Sequence, residues 1–319
     1  MKNALILHNP VSSSSKEDEA DVINQAIFIE TALSQMGYRS QRTEFDLNTG
    51  PLIQLIKNGN YSIVFNLVES INDSGRLSFI AAGILELLRV SFSGSGAEAI
   101  YMTTDKILCK TILNQHHLNT PCWAKTLQEI EPDKNYIIKP VSEDGSVGID
   151  DAVIVRGFEV KEIQEGYFAE EYIHGREFNI SIIGGNYDYQ VLPPAEMCFS
   201  DAWYETKPRI LGYKAKWDES SEEYLNTTRS FQFGKDDSAL IAELKDIAGK
   251  CWKIFGLRGY ARVDVRVGTD LSPKIIEINA NPCIAPDSGF VAACKEAGLT
   301  DMEIIKKIID DVKHYETGI

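Results

Sequence analysis

Residues 259–282, GYARVDVRVGTDLSPKIIEINANP, constrain this chain more than any other stretch. In YARVDVRV, Arg262, Asp264 and Arg266 alternate with Ala261, Val263, Val265 and Val267. In KIIEINA, Glu277 and Asn279 alternate with Ile276, Ile278 and Ala280. A period of two puts the polar set of a strand on one face. The intervening GTDLSP has the turn residues of a hairpin connection. A slip of one residue would carry the apolar set to the wrong face, so the pattern selects a register. The most symmetrical register sets Arg262 opposite Asn279 and Asp264 opposite Glu277. Facing carboxylates repel unless a cation lies between them. Carboxylate and amide oxygens suit Mg²⁺, which shares such ligands with phosphate oxygens and water. A neighbouring arginine can stabilise charge developing on a reacting oxygen. A solvated polar face on a surface hairpin would show the same alternation.

The flanking chain narrows that choice. Residues 1–103 alternate strand and helix signals: a strand in NALILHN, a helix over 17–37, strands over 38–45 and 61–68, and a helix over 75–88. This order predicts a small parallel sheet covered by helices. Gly94-Ser95-Gly96 resembles the opening of a dinucleotide fingerprint, but Ala99 follows where a glycine is needed, so a tight turn is expected. No Walker A sequence occurs. The net charge of −15 argues against nucleic acid or an anionic membrane as the main partner. No apolar run reaches the roughly 18 residues of a membrane span. No signal-peptide layout precedes NALIL, and the six cysteines are scattered without paired spacing. Together these features predict a cytoplasmic protein.

Further on, residues 103–105 read as a cap for the helix KILCKTILNQ, with Lys106 and Lys110 on one face. NYIIKPV is a strand carrying Lys139, followed by the Gly/Ser loop 142–148. A lysine beside such a loop can cradle phosphate, although a surface turn has the same composition. GYFAEEYIHGREFNISIIGG reads as strand, turn and strand, with Glu170 and Tyr172 on one face and Glu177 just past Gly175. Those carboxylates are either edge charges or partners for a nucleoside amine and ribose hydroxyls. Residues 193–233 lack periodicity and read as a long lid loop carrying Lys214, Lys216 and Trp217. Helices are expected over 238–255, from about Asp287 or Ser288, and over 301–315. A helix start near Ser288 would favour an anion.

In order, SGSGAEAIYMTTDK, the lysine of IIKP, EDGSVGI, AEEYIHGREF, YKAKW, GYARVDV and IIEINANP make the chain resemble the ATP-grasp enzymes, and among them the D-alanine–D-alanine ligases. The resemblance runs from Phe65 to about Gly298. It implies an α/β (α+β) fold of three subdomains: an N-terminal parallel-sheet domain (1–103), a central part (104–173) and a C-terminal part with lid loop and metal site (174–319). ATP would lie between the last two. Carried over residue by residue, the resemblance makes Lys106 and Lys139 phosphate-binding lysines. It makes Gly145, Ser146 and Val147 part of a loop closing on the triphosphate, with Ser146 near the reacting phosphate. Glu170, Tyr172 and Ile173 become adenine contacts, Glu177 the ribose ligand and Lys216 the lid lysine. Asp264, Glu277 and Asn279 become ligands for two Mg²⁺ (or Mn²⁺), and Arg262 the stabiliser of transferred phosphoryl and oxyanion. Ser288 becomes the contact to the second substrate's carboxylate.

The chain departs from the family pattern in one region. His8-Asn9-Pro10-Val11-Ser12 stands where the family has a glycine pair, a serine and an amine-binding glutamate. Glu17, Asp18 and Glu19 are nearby substitutes. Glu69 stands for a histidine, Trp217 for a tyrosine and Cys283 for a glycine. The expected activity is an ATP-dependent carboxylate–amine ligase, forming a peptide or amide bond between amino-acid-like substrates, with Glu69, Trp217, Cys283 and Ser288 around them. A D-alanine–D-alanine ligase with a rewired pocket and an inactive nucleotide-binding regulator are the alternatives. Small molecules are the expected partners, with a homodimer implied by the family.

Overall fold

A computed structural model describes residues 2–11, 17–143, 154–185, 188–205 and 207–312; the loop glycine and its neighbours Gly145, Ser146 and Val147 lie outside them. Strands β1 (Lys2–His8), β2 (Tyr38–Glu44) and β3 (Tyr61–Leu67) form a parallel sheet in the order β2-β1-β3. Helices α1 (Glu17–Gln35) and α2 (Thr49–Asn58) make the crossovers. Val22, Ala26, Ile29 and Leu33 form the buried stripe of α1, and Gly37 ends it at φ +77°, in the left-handed region glycine favours. The helix expected over 75–88 begins as a short 3₁₀ turn and becomes regular only in α3 (Phe79–Leu87). Gly94 does make a turn (φ +80°), against Gly259 (φ +68°): a Cβ at Gly259 would stand 2.7 Å from the Gly94 nitrogen. Two backbones touch there, which leaves no room for side chains. Next come α4 (Ala97–Thr104) and α5 (Lys106–Gln115). Asp105 caps α5 by accepting from the Ile107 and Leu108 amides at 3.1 and 2.9 Å.

The central sheet has the order β4-β7-β5-β6, from β4 (Trp123–Ala124), β5 (Asn135–Pro140), β6 (Val155–Arg156) and β7 (Tyr167–Glu171). The third sheet runs β11-β10-β8-β12-β13, with β9 also paired to β8. Its strands are β8 (Gly175–Gly185), β9 (Asp188–Val191), β10 (Ala195–Phe199), β11 (Thr227–Ser230), β12 (Tyr260–Gly268) and β13 (Pro273–Asn279). Residues 193–233 are therefore not one loop. They hold β10, the short helices α6 (Asp201–Tyr204), α7 (Tyr213–Trp217) and α8 (Glu222–Leu225), and β11. Each has four or five residues, too few to show a period. Helices α9 (Ser238–Ile254), α10 (Gly289–Glu296) and α11 (Asp301–Asp310) complete the fold. None of the described helices is long and apolar enough to cross a membrane.

The β12–β13 hairpin has the register its alternation selects: Arg262 opposite Asn279, Asp264 opposite Glu277. A bulge follows Asp264, so that Val265 faces Ile275. Val263, Val265, Val267, Ile275 and Ile278 are buried on the core face. At roughly 1.5–3 kcal/mol each, a one-residue slip would lose about 4–9 kcal/mol from the three valines of β12 and about 3–6 kcal/mol from the two isoleucines of β13. Two large cores join the first and third sheets. One unites Leu5 and Val64 with Phe178, Val263 and Ile278; the other unites Ile6, Ile29 and Phe65 with Ile183, Phe290 and Ile304. The central sheet has a small core of its own, built on Ala124, Tyr136 and Ala169.

Candidate active site

Between the central and third sheets lies a cleft with about 560 Å³ of empty space, open to solvent on one side. Lys139, Glu170, Tyr172, Ile173, Glu177, Lys216, Asp264 and Glu277 all line it. Ile137, Ile210, Leu211 and Ile276 add apolar walls that the alternation of charges does not reveal.

The floor is the polar face of the third sheet. On β8, Glu177, Asn179 and Ser181 alternate with the buried Phe178, Ile180 and Ile182. They pair across with Arg266, Asp264 and Arg262 of β12. Only Glu177 of the three was singled out in the sequence, yet EFNISI shows the same period. Asn179 donates to Asp264 Oδ1 at 2.9 Å, and Arg262 grips the same carboxylate through Nε and Nη2 at 2.7 and 2.8 Å. Burial alone would lower the Arg262 pKa; Asp264 outweighs it and holds the guanidinium firmly charged. Glu277 Oε1 lies 3.1 Å from Lys106 Nζ, which also donates to the Glu143 carbonyl at 2.5 Å. Asn279 Oδ1 accepts from the Asn281 amide. Thus each of the two facing carboxylates has its own cationic partner.

Arg266 is a site residue that sequence reasoning left unassigned. It is buried, lies 3.3 Å from Glu177 Oε2 and spreads over the Tyr172 ring at 5.2 Å. Its Nε has no hydrogen-bond partner among the described residues. A buried donor without an acceptor is costly, and an oxygen of a ligand in the cleft would relieve it.

On the facing wall, formed by the central sheet, Glu170 is buried between two lysines: Oε1 is 2.6 Å from Lys110 Nζ and Oε2 is 2.5 Å from Lys139 Nζ. Burial works to raise its pKa, but the two ammoniums prevail and hold it below the usual carboxylate range. Glu170 lines the cleft and orients Lys139; its Oε1, though 2.6 Å from the Lys110 ammonium, makes no hydrogen bond among the described residues. Two lysines share one carboxylate, leaving an excess positive charge at the wall. Lys216, on α7, adds to it. Its pKa is pushed down by burial and by Arg262, with Glu277, Asp264 and Glu177 opposing.

The residues expected around the substrates lie apart from this cleft's lining. Glu69 Oε1 accepts from Gln25 Nε2 at 3.1 Å. Cys283 donates to Asp21 Oδ2 at 2.9 Å; burial, then Asp21 and Glu69, push its thiol well above the ordinary value. Asp21 and Gln25 on α1 thus meet Cys283 and Glu69. Of the acids at the start of the same helix, the side chains of Glu17, Asp18 and Glu19 lie outside the described residues. Ser288 caps α10, accepting from the Val291 amide. Trp217 ends α7 directly after Lys216.

The donor set fits Mg²⁺ chemically. Asp264, Glu277 and Asn279 offer only oxygen on adjacent strand positions, and both carboxylates are already held by cations.

Comparison with known proteins places this geometry. The family model described as "D-ala D-ala ligase C-terminus" matches residues 115–310. A D-alanine–D-alanine ligase of Moorella thermoacetica is 28% identical, over 97% of this chain and 98% of its own. An uncharacterised protein of Sinorhizobium fredii is 28% identical, over 81% of this chain and 77% of its own. Among solved structures, the D-alanine–D-alanine ligase of Bacillus anthracis complexed with ATP superposes with a TM-score of 0.71 at 18% identity, covering 98% and 96% of the two chains. D-alanyl-alanine synthetase A of Vibrio cholerae gives 0.76 at 16% identity, covering 97% of both. At such identities the structural likeness speaks for the fold, which is that of the ATP-grasp ligases.

Proposed function

The chain belongs to the D-Ala–D-Ala ligase C-terminal family, and from that premise we propose that it is an ATP-dependent carboxylate–amine ligase joining two amino-acid-like substrates. The observation that carries the reading is the convergence of Lys139, Lys216, Asp264 and Glu277 on one cleft, with Arg262 beside Asp264.

A carboxylate is a poor acyl donor because its leaving group would be oxide. Attack of a donor carboxylate oxygen on the terminal phosphorus of ATP releases ADP and gives an acyl phosphate. The acceptor amine then adds to the acyl carbon, loses a proton, and the tetrahedral adduct collapses with release of phosphate. Such transfers depend on positioning and charge neutralisation more than on a nucleophilic side chain. Lys139, held in place by Glu170, and Lys106 and Lys216 supply positive charge to phosphate oxygens. Ile137, Ile210, Leu211 and Ile276 wall the base, Tyr172 and Ile173 meet its edge, and Glu177 receives ribose hydroxyls. Asp264, Glu277 and Asn279 would hold Mg²⁺, or Mn²⁺ in its place, which supplies further charge neutralisation. Arg262 stabilises the oxyanion of the adduct. Ser146 in the loop 142–148 belongs to the same phosphate site, and Trp217 and Ser288 to the acceptor side.

The three sheets fall within 1–103, 104–173 and 174–319, which supports those limits as the working parts. A homodimeric state and a cytoplasmic location rest on the family resemblance and the sequence alone. An inactive regulator is disfavoured because Arg262, Asp264, Glu277 and Asn279 are all kept and stand together. The test is incubation with Mg-ATP and pooled amino acids, read by phosphate release and mass spectrometry. Ligated product with stoichiometric phosphate is expected; neither appearing from folded, ATP-binding protein would reject the ligase reading. Turnover with D-alanine as sole amino acid would make it a D-alanine–D-alanine ligase.

A further inference from the structure

Arg229 has no place in the chemistry above. It sits on β11 directly opposite Met197 of β10, which is opposite Glu177 of β8, which is opposite Arg266 of β12. Opposed residues of an antiparallel ladder point to the same side. Arg229 therefore extends the polar face that carries Asp264 and Arg262. Its Nη2 would lie 3.3 Å from a Cβ placed on Gly289, so the guanidinium rests against the first turn of α10, beside Ser288. Arg229 makes no hydrogen bond or ion pair among the described residues. Arg229 is exposed to solvent overall, and its pKa is lowered, first by partial desolvation of the guanidinium and then by the charge of Arg262, with Asp287 and Tyr224 opposing and no ion pair formed. Arg262 by contrast has Asp264 for its charge. Two guanidiniums thus share the face on the acceptor side of the site, and one, open to solvent, has no counter-ion from the protein among the described residues.

We propose that Arg229 is a specificity-determining residue that binds an acid group on the side chain of the acceptor amino acid. The argument rests on the ligase reading and adds a substrate class to it. Ser288, at the start of α10, is already assigned the one carboxylate every α-amino acid has. A further arginine on the same face, free of an internal partner, matches a second anionic group: a guanidinium presents paired donors that suit a carboxylate or a phosphate. Nothing at Arg229 would favour an acceptor with a methyl side chain. Its place on an edge strand gives room for a longer one.

Two measurements test this. Calorimetric titration in the presence of Mg²⁺ and a non-hydrolysable ATP analogue uses aspartate, glutamate, phosphoserine and alanine, in both enantiomers, on the parent, R229Q and R229K. At least one acid amino acid should bind the parent more tightly than alanine does. R229Q should weaken it about tenfold or more, the span of a charge-assisted hydrogen bond, and change alanine less than threefold. R229K should recover part of the loss. Preference for phosphoserine over aspartate and glutamate would identify the group as phosphate within the same proposal. Alanine binding the parent as tightly as the acids, or equal losses for both in R229Q, overturns it. Phosphate release with the same amino acids is measured alongside. Its absence throughout would reject the ligase reading, while the titrations still decide the subsite.

Discussion

Replacing Glu170 by Gln separates two roles for one carboxylate. In the parent, Lys110 and Glu170 are both buried and 2.6 Å apart, and Lys110 also donates to Thr120 Oγ1 at 2.8 Å. Lys139 is more exposed than Lys110 and can turn toward the cleft when Glu170 is neutralised. Lys110 has no such route, so the loss concentrates on it. Breaking a buried pair from one side costs about 3–5 kcal/mol. With an unfolding entropy of about 2.1 cal/mol/K per residue over 319 residues, that lowers the melting temperature by about 4–8 °C. The deficit has a pH signature. The carboxylate pKa is depressed in the folded state, so its stabilisation is present above the unfolded value and is lost as pH falls through the folded one. The gap between parent and E170Q should therefore close in acid. K110M/E170Q, which removes the stranded ammonium, should recover most of the loss, and K139M/E170Q should not. Calorimetric melts from pH 3 to 8 read all four proteins. ATP affinity should change less than about threefold, since both Glu170 oxygens lie against lysines and Lys139, released from Glu170, still reaches the phosphates. A melting temperature within about 1 °C of the parent, together with a tenfold loss of ATP affinity, would refute the counter-ion role and make Glu170 a nucleotide contact.

D264N and E277Q should each lower turnover by roughly 10²–10³-fold; normal turnover in either protein would contradict the metal assignment. ATP binding should draw in a proton at alkaline pH. Lys216 is depressed in the free protein, and triphosphate favours its charged form, so affinity should rise as pH falls from the ordinary lysine value of 10.5 toward the depressed one, and level off below it. Binding heats at pH 9 in buffers of different ionisation enthalpy would show the uptake in the parent; its persistence in K216M would assign the proton elsewhere.

The hairpin's register was legible because the alternation of YARVDVRV and a turn of known composition demand it; the bulge after Asp264, which turns Ile275 to the core and leaves Ile276 lining the cleft, has no local sign. The nucleotide-side residues were legible for a similar reason, each lying on or just beyond a strand whose period fixes its face. What escaped the sequence depends on distance along the chain. Lys110 was read as sharing a helix face with Lys106, but its partner Glu170 lies sixty residues on, in another sheet. Arg266 alternates in plain view, yet only the fold brings Glu177 and Tyr172 to it. Helix α2 buries only Leu52 and Ile56 and passed unnoticed between two strands. Arg229 stands in a four-residue strand inside a segment without period, so nothing local marks it.

The unequal partition of apolar contacts has a mechanical consequence. The outer sheets are welded through two continuous interiors, whereas the middle one has a separate, smaller core of Ala124, Tyr136 and Ala169 with a few partly buried aliphatics against it. The groove lies between the middle and third sheets, so it widens by a tilt of the middle sheet, which leaves the two large interiors intact. The middle sheet is therefore the one that tilts at least cost, and Lys139 on β5 would move with it. Admission of a nucleotide and delivery of a positive charge to its phosphates become a single movement.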